Sequence, residues 1–233
     1  MRALITHVDL IRLDHFRGFA AAWQIPSGSS TALTGEWVPG PGSDFFNAIQ
    51  ADLGTLPFIA EDLGLITPDV ETLRDQFQLP GTRVLQFAFN GDPENPYLPH
   101  KYVSNTVVYT GTHDNNTTRG WYEALTDDQR QLICHYLKHP QIESSEIAAT
   151  LLTLAWSSKA ALAVIPLQDL LNLGEDARMN VPGFAEGNWR WRCTTDMMSL
   201  SAFQWLRELT TITHRLPVQQ PTLESLPNSE VRL

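Results

Sequence analysis

Three carboxylates stand out because each follows a short apolar run: Asp14 closes "DLIRLD", Glu61 falls at the end of "PFIAED", and Asp114 comes two residues after "TVVYTGT" ends at Thr112. In a parallel α/β barrel the carboxyl ends of the strands converge on one face, so acids far apart in sequence meet there. Gathered acids repel one another and lose hydration, so folding alone gives little reason to assemble them. Acid–base chemistry, covalent chemistry or cation binding does give a reason. Each acid also has a chemically useful neighbour. Arg12 lies two residues before Asp14 and so projects from the same side of a strand. A guanidinium there holds a carboxylate ionised and oriented, as a nucleophile requires. His113 stands beside Asp114 in the polar run "TGTHDNNTT".

Each signal also has a plain structural reading. Arg12 and Asp14 could be an ion pair at a sheet rim. The run around Asp114 could be an Asx-rich turn that caps the next helix. Asp62 could be a loop cap, with Glu61 a solvated rim residue. A metal-dependent barrel hydrolase is a further alternative for the His–Asp neighbours, but such sites usually carry paired HxH ligands and none occurs here. No metal and no cofactor is expected.

The elements that must position these groups alternate between strand-like and helix-like patterns, which predicts βα units on a parallel sheet. The strand candidates are 9–14, 57–62, 82–89, 106–112 and 161–170. Helices are expected over 43–54 with Ser43 as cap, over 67–77 with Thr67 as cap and Pro68 at the first helical position, and over 126–138 with a Thr126–Gln129 capping box. The apolar stretch 144–160 predicts a buried helix, and 197–216 predicts a final one. Between the last strand and that helix, 169–192 reads as a long loop rich in Gly, Pro and polar groups. The tail 217–233 reads as disordered or loosely attached. Five βα units are too few for the eight of a (β/α)8 barrel. They could instead complete a small doubly wound sheet, although no Gly-rich phosphate loop follows the first strand.

Taken together, "RLDHFRGF", "FIAEDLG" and "YTGTHDNNTTRGW", in this order, resemble the amylomaltase or disproportionating-enzyme family of 4-α-glucanotransferases, within the α-amylase-like superfamily. The resemblance extends to about Leu209 and includes "GEWVPGPGSDFF", "LPGTRVLQFAF", "ENPYLPH" and "PLQDLLNLGEDARMNVPG". It implies an α/β fold, a (β/α)8 TIM barrel of which residues 1–216 supply roughly strands four to eight. It implies Asp14 as nucleophile, Glu61 as general acid/base and Asp114 as the acid that binds sugar hydroxyls. Arg12, His15, Trp37, Phe87, His113 and Asn180 match positions expected to bind substrate, with core packing the alternative for Trp37 and Phe87. The nearby charge of Asp14 is expected to keep Glu61 protonated. The implied substrate is a maltodextrin or other α-1,4-glucan, and the implied partner is the front half of the barrel. The alternative is an inactive remnant that only binds glucan or a partner chain. Ala20 and Ala22 depart from larger residues common in the family, and Thr82 departs from a frequent Met.

Composition excludes some other functions. The 233 residues are 42% hydrophobic and 18% charged, with a formal net charge of −10. That balance is unfavourable for gripping a phosphate backbone, so no nucleic acid is expected as partner. No apolar run is long enough to span a membrane, and residues 1–16 lack the apolar core of a signal peptide. The two cysteines, Cys134 and Cys193, have no CxxC spacing, which together predict a cytoplasmic protein.

Overall fold

The computed structural model describes residues 1–216; the tail expected over 217–233 lies outside them. The strands are β1 (Ile11–Leu13), β2 (Ala21–Gln24), β3 (Glu36–Pro39), β4 (Phe58–Ala60), β5 (Gly81–Val84), β6 (Thr106–Tyr109) and β7 (Leu162–Val164). The helices are α1 (Arg2–Ile5), α2 (Arg17–Ala20), α3 (Gly42–Leu53), α4 (Pro68–Gln76), α5 (Thr118–Glu123), α6 (Asp127–Leu137), α7 (Ile147–Trp156), α8 (Leu167–Leu170) and α9 (Leu200–Ile212). Five strands form one parallel sheet in the order β1-β4-β5-β6-β7. Sheet order follows chain order throughout, without the reversal that marks a doubly wound sheet. It is a parallel half-barrel.

All five expected sheet strands are present, but shorter than their apolar runs. The third run stops at Val84 and turns through a 3-10 segment at Leu85–Phe87. The fifth stops at Val164, because Pro166 has no N–H for a sheet ladder, and residues 167–170 coil into α8. The hairpin β2–β3, which pairs Trp23 with Trp37, was not expected. Its strands are four residues each with weak alternation, and the connection 25–35 is far longer than a two-residue hairpin turn.

Helix chemistry follows the expected pattern with two corrections. Thr126 and Gln129 form the capping box of α6. Ser43 does not cap α3, which starts one residue earlier at Gly42 with Pro41 in the cap position. Thr67 occupies the cap position of α4 without a side-chain cap bond; its hydroxyl accepts from Arg17 instead. The apolar stretch 144–160 narrows to α7 at Ile147–Trp156, whose Leu151, Leu152 and Ala155 are fully buried. They centre one core with Leu85, Val108 and Ile133. Phe16, Phe46, Phe58 and Val70 centre a second core beneath β1 and β4. The two cores carry opposite ends of one sheet, and the acids sit along its rim.

A buried carboxylate ties β4 to β5. Asp62 is 2% exposed and accepts from the Thr82 backbone N–H at 2.6 Å, from Arg74 at 2.5 Å and from Arg83 at 3.3 Å. A side chain at Gly81 would collide with it, since an added Cβ would lie 2.8 Å from Asp62 Oδ2. Thr82 is itself fully buried and donates its hydroxyl to the Ala60 carbonyl at 2.9 Å, which gives this departure a structural role. Removing one partner of a buried ion pair strands the other charges. Asp62→Ala is therefore expected to lower the unfolding free energy by about 3 kcal/mol, read as an earlier urea midpoint.

Candidate active site

β1 and β4 run in parallel with Leu13 opposite Ala60 as the last pair. The next residue on each chain is an acid, Asp14 and Glu61. The Glu61 N–H donates to Leu13 O, but Glu61 O accepts from Phe16 rather than from His15, both at 3.0 Å. A regular parallel ladder would use His15 there, so one residue is bulged out of register. His15 absorbs the bulge with a left-handed backbone, φ 48°, a conformation costly for a non-glycine residue and common at functional sites. Its freed N–H turns to the Glu61 side chain and donates to Oε2 at 2.7 Å. The backbone beside Asp14 thus holds the carboxylate of Glu61 directly.

The two acids have different environments. Asp14 is 78% exposed in its side chain and accepts from Arg12 at 2.8 Å, the same-side geometry expected from their spacing. Glu61 is half-buried and accepts from the backbone N–H groups of His15 and Leu63. Burial pushes its carboxyl up from the ordinary 4.5, against the pull of those N–H groups and of Arg12; the charge of Asp14 is the smallest contribution. This corrects the cause in the expectation that Asp14 keeps Glu61 protonated: burial, not the Asp14 charge, is the largest influence raising this carboxyl. The fold therefore binds this proton more tightly than the unfolded chain does. The associated stability is present below the ordinary value and is lost as pH rises through the raised one. Glu61→Gln is expected to leave stability unchanged near pH 4 and to raise it at pH 7, read from urea midpoints at both values.

Asp114 sits on the loop between β6 and α5. Asn180 donates to its Oδ1 at 2.6 Å, His113 Nε2 lies 3.4 Å from its Oδ2, and Arg178 donates to its carbonyl at 2.8 Å. Asn180 N–H also donates to His113 O at 3.1 Å. The long loop expected to be rich in polar groups thus braces the third acid. Arg178 was missed, although it lies in the same motif as Asn180, "PLQDLLNLGEDARMNVPG". Arg12, Tyr109, His113, Gln168 and Arg178 line one cavity of about 300 Å³. The guanidinium beside Asp14 therefore faces the loop that carries Asp114, across the concave side of the sheet.

The family model described as 4-alpha-glucanotransferase, glycoside hydrolase 77, matches residues 1–198. The chain belongs to the 4-α-glucanotransferase family. It is 51% identical over 200 residues to the 4-alpha-glucanotransferase of Synechocystis, covering 85% of this chain and 39% of that protein. The Thermus thermophilus enzyme is 49% identical over 212 residues, covering 89% and 42%. Amylomaltase from Streptococcus agalactiae, solved with acarbose, superposes with a TM-score of 0.85 at 35% identity, covering 91% of this chain and 43% of that one. The chain thus spans about two fifths of these relatives.

Two further positions suggested by the glucanotransferase motifs flank the Glu61 loop. Trp37 is 52% exposed, packs edge-on to Trp23 at 5.5 Å and carries the Arg17 guanidinium 4.4 Å above its ring. Arg17 in turn donates to Leu65 O at 2.9 Å. On the other side, Phe87 is 42% exposed and meets Tyr97 edge-on at 5.4 Å. The Tyr97 hydroxyl accepts from Gly64 N–H at 3.3 Å. Neither Trp37 nor Phe87 is a core residue. Arg17 and Tyr97 lie inside the motifs "RLDHFRGF" and "ENPYLPH" but were given no role from sequence. Trp189, also unmarked, is half-exposed with φ 62° and packs 5.3 Å from His113.

Proposed function

We propose that this chain supplies the catalytic carboxylates of a retaining 4-α-glucanotransferase, which moves α-1,4-glucan segments between maltodextrins once the front strands complete the barrel. The observation that carries the reading is the pairing of Asp14 with Glu61 one residue beyond Leu13 and Ala60, with His15 N–H on the Glu61 carboxylate. Neighbouring strands are about 4.8 Å apart, a spacing compatible with the roughly 5–5.5 Å between carboxyls in retaining enzymes. Glu61, whose carboxyl burial pushes upward, gives its proton to the glycosidic oxygen. Asp14, oriented by its bond from Arg12, attacks the anomeric carbon and forms a glucosyl ester as the leaving glucan departs with that proton. Asp114, with His113 and Asn180, binds ring hydroxyls as positive charge develops on the sugar. Glu61, now a carboxylate, takes the proton from the 4-hydroxyl of an acceptor glucan, whose oxygen displaces Asp14. The α-configuration is retained.

His15, Trp37 and Phe87 complete the substrate contacts, the two aromatic rings offering exposed faces or edges to sugar C–H groups. The acarbose bound to the related amylomaltase supports a glucan-shaped site. The free cysteines Cys134 and Cys193 fit the reducing cytoplasm in which we place the protein. The deciding experiment incubates the full chain with maltotriose, alone and with a polypeptide carrying the front strands of the Synechocystis relative. Longer maltodextrins plus glucose in the mixture establish transfer. Glucose and maltose alone make the protein a hydrolase, and no turnover in either mixture leaves the glucan-binding remnant.

A further inference from the structure

One buried acid takes no part in the chemistry above. Asp169 on α8 is 2% exposed, and both its carboxylate oxygens are occupied. Oδ1 accepts from the Thr118 backbone N–H at 2.7 Å. Oδ2 accepts from the Thr118 hydroxyl at 2.7 Å and from the Thr110 hydroxyl at 2.5 Å. Both threonines are completely buried. Thr110 immediately follows β6 and Thr118 opens α5, so the two bracket the loop 111–117 that carries His113 and Asp114. One carboxylate grips both ends of that loop.

We propose that Asp169 is a positioning residue for Asp114, a clamp that fixes the span of the 111–117 loop so that Asp114 meets Asn180. Three independent features support this. The Thr118 N–H is the first of a helix and has no intrahelical partner, so Asp169 satisfies a donor that would otherwise be buried and unpaired. A second buried side chain reinforces the same end of the loop: Gln86 donates to Asn116 O at 3.0 Å and approaches the Thr118 hydroxyl at 3.4 Å. Finally, Asp169 belongs to the segment that also contributes Arg178 and Asn180, linked through Gln168, whose amide donates to Ala177 O at 3.1 Å. Two of the residues that touch Asp114 and the residue that grips both ends of its loop therefore lie on one hydrogen-bonded segment. Burying a carboxylate is unfavourable, and a hydrophobic side chain would fill this space at less cost. The three donors make the cost intelligible only if the position of the loop matters.

The inference rests on the assignment of Asp114 to the active site for its significance, but its test uses no substrate, so failure of the transferase reading leaves it intact. Amide hydrogen exchange and the Asn180 side-chain NH2 resonance are followed by NMR in the full chain. Asp169→Ala is expected to speed exchange of the Thr118 amide at least about tenfold and to remove the downfield shift and protection of the Asn180 NH2, which reports its bond to Asp114. Amides of Glu61 and Phe16, in the β1–β4 ladder, should be unchanged. Because Asp169→Ala could fail to fold, Thr110→Val removes one clamp bond at nearly constant shape, and Thr110→Ser restores the hydroxyl. Thr110→Val should shift the Asn180 resonance and Thr110→Ser should return it. An unchanged Asn180 signal in folded Asp169→Ala or in Thr110→Val overturns the proposal, as does a Thr110→Ser that fails to restore it.

Discussion

In the enzyme completed with its front strands, Asp14→Asn is expected to retain no more than about one part in 10⁴ of the parental transfer rate. The loss should appear in kcat, because a neutral amide can neither attack the anomeric carbon nor depart from it, whereas maltotriose still finds the remaining contacts. Stability should hardly change. Asp14 is mostly exposed and, among the described residues, its one ion pair is with Arg12, and such pairs contribute about 0–1 kcal/mol. Asp62→Ala should behave in the opposite way, with a large loss of stability from a buried acid that touches no substrate. Measured kinetics and urea midpoints for both variants separate the two roles. More than about 1% residual transfer in Asp14→Asn removes it as the nucleophile. A collapse in its stability would instead make Asp14 and Arg12 a structural rim pair.

The contrast between Asp14 and Asp62 shows what could be read from the chain and what could not. Arg12 and Asp14 were legible because strand geometry puts residues two apart on one face, and their bond follows from that spacing alone. The adjacent acids Glu61 and Asp62 were not separable by pattern, since either could have been the rim residue. Tertiary context decides it: Asp62 turns inward to Arg74, Arg83 and Thr82 N–H, which leaves Glu61 at the mouth. The bulge at His15 leaves no trace in sequence, because it depends on which carbonyl Phe16 reaches across the sheet. The parallel sheet was legible from the alternation of apolar runs and amphipathic stretches. The hairpin was not, for Trp23 and Trp37 sit in strands too short to show a period. The braces of Asp114 lie 64 to 66 residues downstream, and only the family resemblance pointed to Asn180.

Glu61→Gln is expected to separate the two halves of the reaction. With maltotriose as donor the variant should lose about 10²- to 10⁴-fold in kcat, the usual contribution of a general acid. With α-maltotriosyl fluoride the leaving group needs no proton, so Asp14 still attacks and fluoride departs at close to the parental rate. The second half then stalls, because the amide that replaces the Glu61 carboxylate cannot take the proton from an acceptor 4-hydroxyl. The ester on Asp14 should accumulate and be found by mass spectrometry on the peptide that contains it. Azide, already an anion, needs no base and should release the sugar as an α-azide, with retained configuration. Burial, not the Asp14 charge, dominates the raised carboxyl of Glu61, so Asp14→Asn should move this carboxyl's titration little in an NMR experiment. Equal impairment with maltotriose and with the fluoride would show that Glu61 does not protonate the leaving group. A large fall in its titration in Asp14→Asn would return the cause to the charge of its neighbour.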